Sequence, residues 1–570
     1  MPFVTRIVAA LLLVASVGSA RAENPRDELL RLAPGDAGFG ILIQNLREHA
    51  DRLIRSPFAD RLAASPIGRA FRDAPESKQL AAFDLQLRQH LNLSWAQLRD
   101  DVLGDAIVLC FTPGPPGQPD GDQGLALAFA RRPEQLSALI DRLNGFQKQS
   151  GEIDGLEDRE FEGQRYVCRR KPGGAEYYFQ HGPIFALSNS ESCLRQVIER
   201  DRRRSGAERG SPSQRLNELG VASDLAVLWI NPRAFDAAIE QQARSAAGED
   251  AEPIRTFAAC WSAIDGVALS LRLTDDAAVS AAVRLRPDAM PPTVRRVLED
   301  LRRPSAVWSA FPADALLAVA GRTPWERPAP TAESNLPSPS RRTFQDALDR
   351  GVAAVLTEDV LPELLRRVGP DWGFCVAPPD RDEQWWPNIT AAVQLQFVSE
   401  TVKRRVLGGL DAVARLGVLT LNNQRGTRWK VRVAQQGDVD VRYLDGGASW
   451  PAGLQPAFAW KGGYLVLASS PAVINRFAPP ADRDSPAVNG EVPIARLAVA
   501  GWVNYLRKYR PELVNAIAAG HKLPAPDVDD RLGRLIQTLE LFDGVALTRQ
   551  ADSGRATLTL RLRPAASLNP

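Results

Sequence analysis

Asp265-Gly266-Val267-Ala268-Leu269 recurs unchanged as Asp543-Gly544-Val545-Ala546-Leu547. Each stretch reads as an Asp-Gly turn opening an apolar strand, because Asp can bond its own backbone and Gly supplies positive φ. Downstream, Arg284-Leu285-Arg286-Pro287 answers to Arg561-Leu562-Arg563-Pro564; Asp265 to Pro287 is 22 residues and Asp543 to Pro564 is 21. Upstream, Trp229-Ile230-Asn231 is matched with Trp502-Val503-Asn504, each Trp being read as the end of an apolar strand.

Three further pairs follow in the same order. The stretch 182–190, a turn, a strand and a Ser before a helical pattern, matches 462–470, so Ser190 and Ser470 are expected to cap helices. Residues 104–113 match 369–378, which sets Cys110 on Cys375 and Pro113 on Pro378. Pro34-Gly35-Asp36-Ala37, opening a strand over 38–44, matches Pro312-Ala313-Asp314-Ala315, opening one over 316–320. Collinear blocks of this kind predict an internal duplication.

Within a copy, 125–130 reads as a short strand, followed by Pro133 and an amphipathic helix through Leu136, Leu139, Ile140 and Leu143. Residues 161–169, 177–180 and 184–187 then read as consecutive strands joined by Gly-containing turns, which implies antiparallel pairing. The expected class is α+β: two diverged copies of a module in which helices cover a mainly antiparallel sheet. The expected organisation is a signal peptide over 1–22, a first module over 23–287, a connecting helix over 288–304, a second module over 305–564 and a tail over 565–570. A proline-rich insert over 323–342 is expected to be disordered.

The first residues bear on compartment. Arg6 precedes an apolar run over 7–18, and Ala20-Arg21-Ala22 forms an A-x-A site, so cleavage is expected between Ala22 and Glu23. The apolar run is too short for a roughly 30 Å hydrocarbon core, although an uncleaved anchor is the competing reading. The expected location is periplasmic or extracellular, with a membrane partner only if the segment is retained.

Charge and motifs bound the chemistry. Seventy basic residues against 68 acidic ones leave a net charge of +2, which gives no field to attract nucleic acid. The basic run 200–204 reads as a solvated helix end. Five cysteines, none in C-x-x-C spacing, read as buried small hydrophobes with at most two disulfides. His49, His90, His181 and His521 read as surface or capping residues, and no G-x-S-x-G or H-E-x-x-H motif accompanies them. Asp120-Gly121-Asp122 and Asp527-Val528-Asp529-Asp530 read as solvated loops lacking EF-hand spacing. No catalytic, metal or cofactor residues are therefore assigned, and no cofactor is expected.

Ser65-Pro66-Ile67-Gly68, Leu103-Gly104-Asp105, the Pro-x-Asp-Ala strand opening and the Gly-x-Leu-x-Leu-x-Ser stretch at 463–469 together resemble a bacterial exported family known as domain of unknown function 3352. The second copy lacks Ser-Pro-Ile-Gly. The resemblance implies an exported protein and brings no activity with it. The functional expectation is a non-enzymatic protein that binds or scaffolds an unidentified component of the cell envelope. Two alternatives stand beside it: a hydrolase using carboxylates from separate loops, and a chaperone-like factor for apolar exported cargo.

Overall fold

The computed structural model describes residues 24–115, 121–203, 210–248, 251–290, 292–322, 367–396, 398–447, 450–480 and 490–568. The signal segment with Ala22 and Glu23, the insert over 323–342, Asp120 and Arg204 lie outside the described residues. The chain mixes helix with antiparallel strand and divides into two compact units. The first holds 24–54, 72–239 and 265–272; the second holds 55–71, 240–264 and 273–568.

The strands of the first unit are β1 (Phe39–Gln44), β2 (Ala106–Thr112), β3 (Gln123–Phe129), β4 (Gly155–Phe161), β5 (Gln164–Lys171), β6 (Gly174–His181), β7 (Ile184–Ser188), β8 (Ala226–Ile230) and β9 (Ile264–Leu273). They pair antiparallel in the order β9-β8-β1-β2-β3-β7-β6-β5-β4. The stretch 161–169 is thus two strands, not one. Phe161 ends β4, and the turn Glu162-Gly163, both at positive φ, leads into β5.

The second unit contains β10 (Ala277–Leu285), β11 (Leu317–Arg322), β12 (Val368–Ala377), β13 (Asn388–Leu395), β14 (Lys430–Gln436), β15 (Val439–Asp445), β16 (Ala457–Lys461), β17 (Tyr464–Ala468), β18 (Glu491–Ala498), β19 (Phe542–Ala551) and β20 (Arg555–Pro564). Its antiparallel order is β10-β20-β19-β18-β11-β12-β13-β17-β16-β15-β14. The strand Ala277–Leu285, which the sequence pattern places at the end of the first module, pairs with β20 and groups with the second unit. A helix at Pro292–Leu301 follows it.

Register agrees between the units at the matched blocks, with shifts in the second unit between Val368 and Trp372 and between Pro493 and Ala495. Cys110 lies opposite Gly40 and Leu125, and Cys375 lies opposite Ala318 and Thr390. Gly40 and Ala318 each fall six residues after the Pro of their Pro-x-Asp-Ala opening. Ile184 faces His181 across its hairpin as Tyr464 faces Lys461. Ser190 and Ser470 each accept the backbone N–H three residues on, from Cys193 and Val473 at 3.4 Å.

Two expectations change under this register. Trp229 sits opposite Gly40 and Ala268, and the residue opposite Ala318 and Ala546 is Arg496. Trp502 lies instead in the helix Val499–Lys508, so the two Trp-x-Asn strings are not equivalent. Asp265-Gly266 and Asp543-Gly544 fall inside β9 and β19, not in the turns before them, and Asp543 occupies a register shift between Phe542 and Gly544. There the extra residue kinks the strand.

Each sheet has one covered face. In the first unit Leu29, Leu30 and Leu32 of the helix Pro25–Leu32 and Leu194, Val197 and Ile198 of the helix Glu191–Arg203 are buried alongside Val108, Leu127 and Ala186. In the second, Val307, Tyr464, Val466, Ile474 and Phe477 form the corresponding cluster. All five cysteines are free thiols, with Cys110, Cys168, Cys193 and Cys375 buried and Cys260 half-buried. Burial pushes the Cys110 and Cys375 thiols up to about 12.

Because the thiolate is the reacting form, native protein at pH 8 is expected to react quickly with an alkylating reagent at Cys260 only. The other four should become labelled on denaturation, as peptide mass spectrometry would read. Rapid native labelling of Cys375 would contradict the packing described.

Candidate binding surfaces

The uncovered face follows from the same register, because directly opposed residues share a face. In the first unit Leu269, Leu228, Ile41, Leu109, Ala126 and Leu187 make one row across six strands. In the second, Ala495, Val319, Phe374, Ala391, Leu467 and Phe458 do the same. Ordinary solvent-facing strand positions are polar. Here Leu109 is 43% exposed, Leu269 49%, Phe374 37% and Leu467 48%.

Helices border this face in the second unit. Leu317, Val376 and Ile389, two residues along from Val319, Phe374 and Ala391, pack against Tyr505 and Trp502 of the helix Val499–Lys508. The Tyr505 hydroxyl donates to the Trp385 carbonyl at 2.7 Å. On the other side the helix Glu400–Arg425, capped by Ser399 and ended by Gly426 at positive φ, brings Asp411 to 3.9 Å from Arg442. Arg442 lies opposite Phe458, on the open face. Between these flanks Val393, 37% exposed, joins Phe374 and Leu467 in an apolar floor. The central strands are paired on both sides, so this floor offers no free backbone donor or acceptor.

A cavity of about 300 Å³ lies on the covered face of the same unit. Cys375 and Thr390 form its floor, with Ala310, Phe311, Val473 and Phe477 as apolar walls and Asp314, Asp380, Asn388 and Arg476 around them. Asn388 donates its amide to the Pro378 carbonyl at 2.9 Å and to Asp380 at 3.1 Å, and Arg476 pairs with Asp380. Asn388 itself is buried.

The histidines stay apart. Burial lowers the pKa of His49, with Arg52 adding to the effect and Glu48 opposing it. His90 packs against Phe146, and His521 ends the helix Arg510–His521. His181 is exposed and sits 2.7 Å from buried Asp201, which also lies 3.6 Å from Arg31. The run 200–203 ends the helix as expected, with Arg202 and Arg203 exposed and Asp201 buried. Arg200 donates to the Leu32 carbonyl at 3.1 Å, and Arg202 pairs with Glu162. Asp527, Asp529 and Asp530 stand in the first turns of the helix Ala525–Leu539, not in a loop, and Asp529 pairs with Arg510. Carboxylates at a helix N-terminus complement its dipole.

Among the described residues no group of three or more His, Cys, Asp or Glu could hold a metal ion, and no helix is long and apolar enough to cross a membrane. No family model matches the chain, no curated protein matches it in sequence and no solved structure matches it in fold.

Proposed function

We propose that this is an exported, non-enzymatic protein of the cell envelope that holds lipid acyl chains on the open faces of two sheets derived from one duplicated module. The single observation that carries the reading is the apolar row across each sheet, half-buried along most of its length and exposed at Leu109 and Leu269 in one unit and at Phe374 and Leu467, with neighbouring Val393, in the other. Contiguous exposed apolar surface costs solubility and marks binding sites. The agreement of strand order and register between units supports the duplication, and the sequence over 1–22 supports export.

The chemistry of the floor favours an acyl chain over an extended peptide. A peptide laid on it would bury backbone N–H and C=O groups with no partner, a cost of about 2–7 kcal/mol per group. A hydrocarbon chain carries no such groups. Six strands at about 4.8 Å spacing give a track of roughly 24 Å, longer than one leaflet of a roughly 30 Å hydrocarbon core.

Full-length protein expressed in a bacterial host should appear in the envelope fraction with Glu23 as its N-terminal residue, and native mass spectrometry should find it carrying lipid. A fluorescent fatty-acid probe should bind it, with affinity falling at least tenfold in Val393→Asp and Leu109→Asp variants whose circular dichroism is unchanged. Protein that neither carries lipid nor binds the probe, or variants that bind as well as the parent, would refute the reading.

A further inference from the structure

We propose that the cavity on the covered face of the second unit binds a small organic amine with a short apolar body, independently of the open faces. The argument starts from what fills the equivalent place in the first unit. Leu32 and Ala310 each lie two residues before the Pro of their Pro-x-Asp-Ala opening. Leu32 is fully buried, whereas Ala310 lines the cavity. Leu125 and Thr390 are likewise equivalent, being opposite Cys110 and Cys375. Leu125 is buried in the first unit, and Thr390 is the cavity floor in the second. Where the first unit has two leucines, the second has a smaller residue and a polar one at matching places. That exchange opens space and lines it with hydroxyl.

The polar atoms left over define the ligand. The Asn388 amide nitrogen is engaged with the Pro378 carbonyl and Asp380, which fixes its orientation and turns the amide oxygen loose. Among the described residues that oxygen and the Thr390 hydroxyl have no hydrogen-bond partner, although both residues are about nine-tenths buried. Asp380 has its countercharge in Arg476. Asp314 has no ion pair among the described residues, and Arg496 beside it is held by the Pro312 and Ala313 carbonyls, so the lining residues themselves sum to one negative charge.

Three acceptors thus face one cavity: the Asp314 carboxylate, the Asn388 carbonyl oxygen and the Thr390 hydroxyl. A primary ammonium offers three donors and no acceptor. Phe311, Phe477 and Val473 supply the walls for its apolar portion, as expected of a small-ligand site.

The test is calorimetric titration of the full chain with n-butylammonium and benzylammonium, with butanol and butyrate as controls. The amines should bind at least tenfold more tightly than either control. Asp314→Asn, at an exposed position, should weaken amine binding about tenfold. Ala310→Leu, which restores the first unit's side chain, should abolish it while leaving the thermal midpoint unchanged or higher. The proposal is overturned if neither amine binds at millimolar concentration, if the controls bind as well, or if Asp314→Asn retains full affinity. Loss of the lipid probe with amine binding intact would leave this site standing and remove only the function proposed for the open faces.

Discussion

Trp229→Ala is expected to destabilise the first unit by about 3–5 kcal/mol, the usual cost of truncating a large core aromatic. The ring is fully buried and lies across the backbone of β1 at Gly40. A Cβ added at Gly40 would stand 2.2 Å from the Trp229 ring, so this position must be glycine while the indole is present. Gly40→Ala should therefore also destabilise, through overpacking, by about 1–3 kcal/mol. The two losses should not add, because the indole that clashes with the new methyl group is absent from the double variant. Chemical denaturation of all four proteins, followed by far-ultraviolet circular dichroism, gives the coupling energy directly. Additive losses would mean that the ring does not rest on Gly40.

The same pair shows what is legible in the sequence. Strands β1, β2, β3 and β7 can be read because each is a short apolar run bounded by Pro, Gly or Asp, and Ser190 and Ser470 announce the helices that follow. Strand β4 escapes a local reading because Gly155-Leu156-Glu157-Asp158-Arg159-Glu160-Phe161 is mostly charged and sits in a hairpin exposed along much of its length. Its strand character comes from pairing with β5, which a local pattern does not contain.

Trp502 aligns with Trp229 only when a shared Trp-x-Asn string outweighs spacing, whereas register sets Arg496 there. The open faces are invisible in the sequence for another reason. Strands apolar on both sides look like doubly covered strands, so exposure of Leu109 or Phe374 cannot be told from burial by composition. The cavity at Ala310 is defined by side chains that are missing relative to Leu32 and Leu125. Only an agreed register makes such an absence visible.

The register also explains why one charge in the second unit is expected to be indispensable alone and dispensable in company. Asp371 is wholly buried on β12, opposite Arg322. The Tyr464 hydroxyl donates to it at 3.5 Å, and Arg322 stands 3.7 Å away. Its own backbone N–H donates to Gln394 at 3.3 Å. Burial lowers the pKa of nearby Arg549, with Arg322 next in effect and Asp300 opposing, so the surroundings are already rich in positive charge. Asp371→Ala alone would strand buried Arg322 and should cost about 3–5 kcal/mol.

At the equivalent places the first unit has Ala106 opposite Gln44, both buried and neutral. The scaffold therefore tolerates an uncharged pair at this point, and Asp371→Ala combined with Arg322→Gln should recover most of the loss. Denaturation midpoints of the two single variants and the double variant decide the matter. If the double variant is no more stable than Asp371→Ala, the aspartate is held by partners other than Arg322, and the likeness of the two units at this position is one of backbone alone.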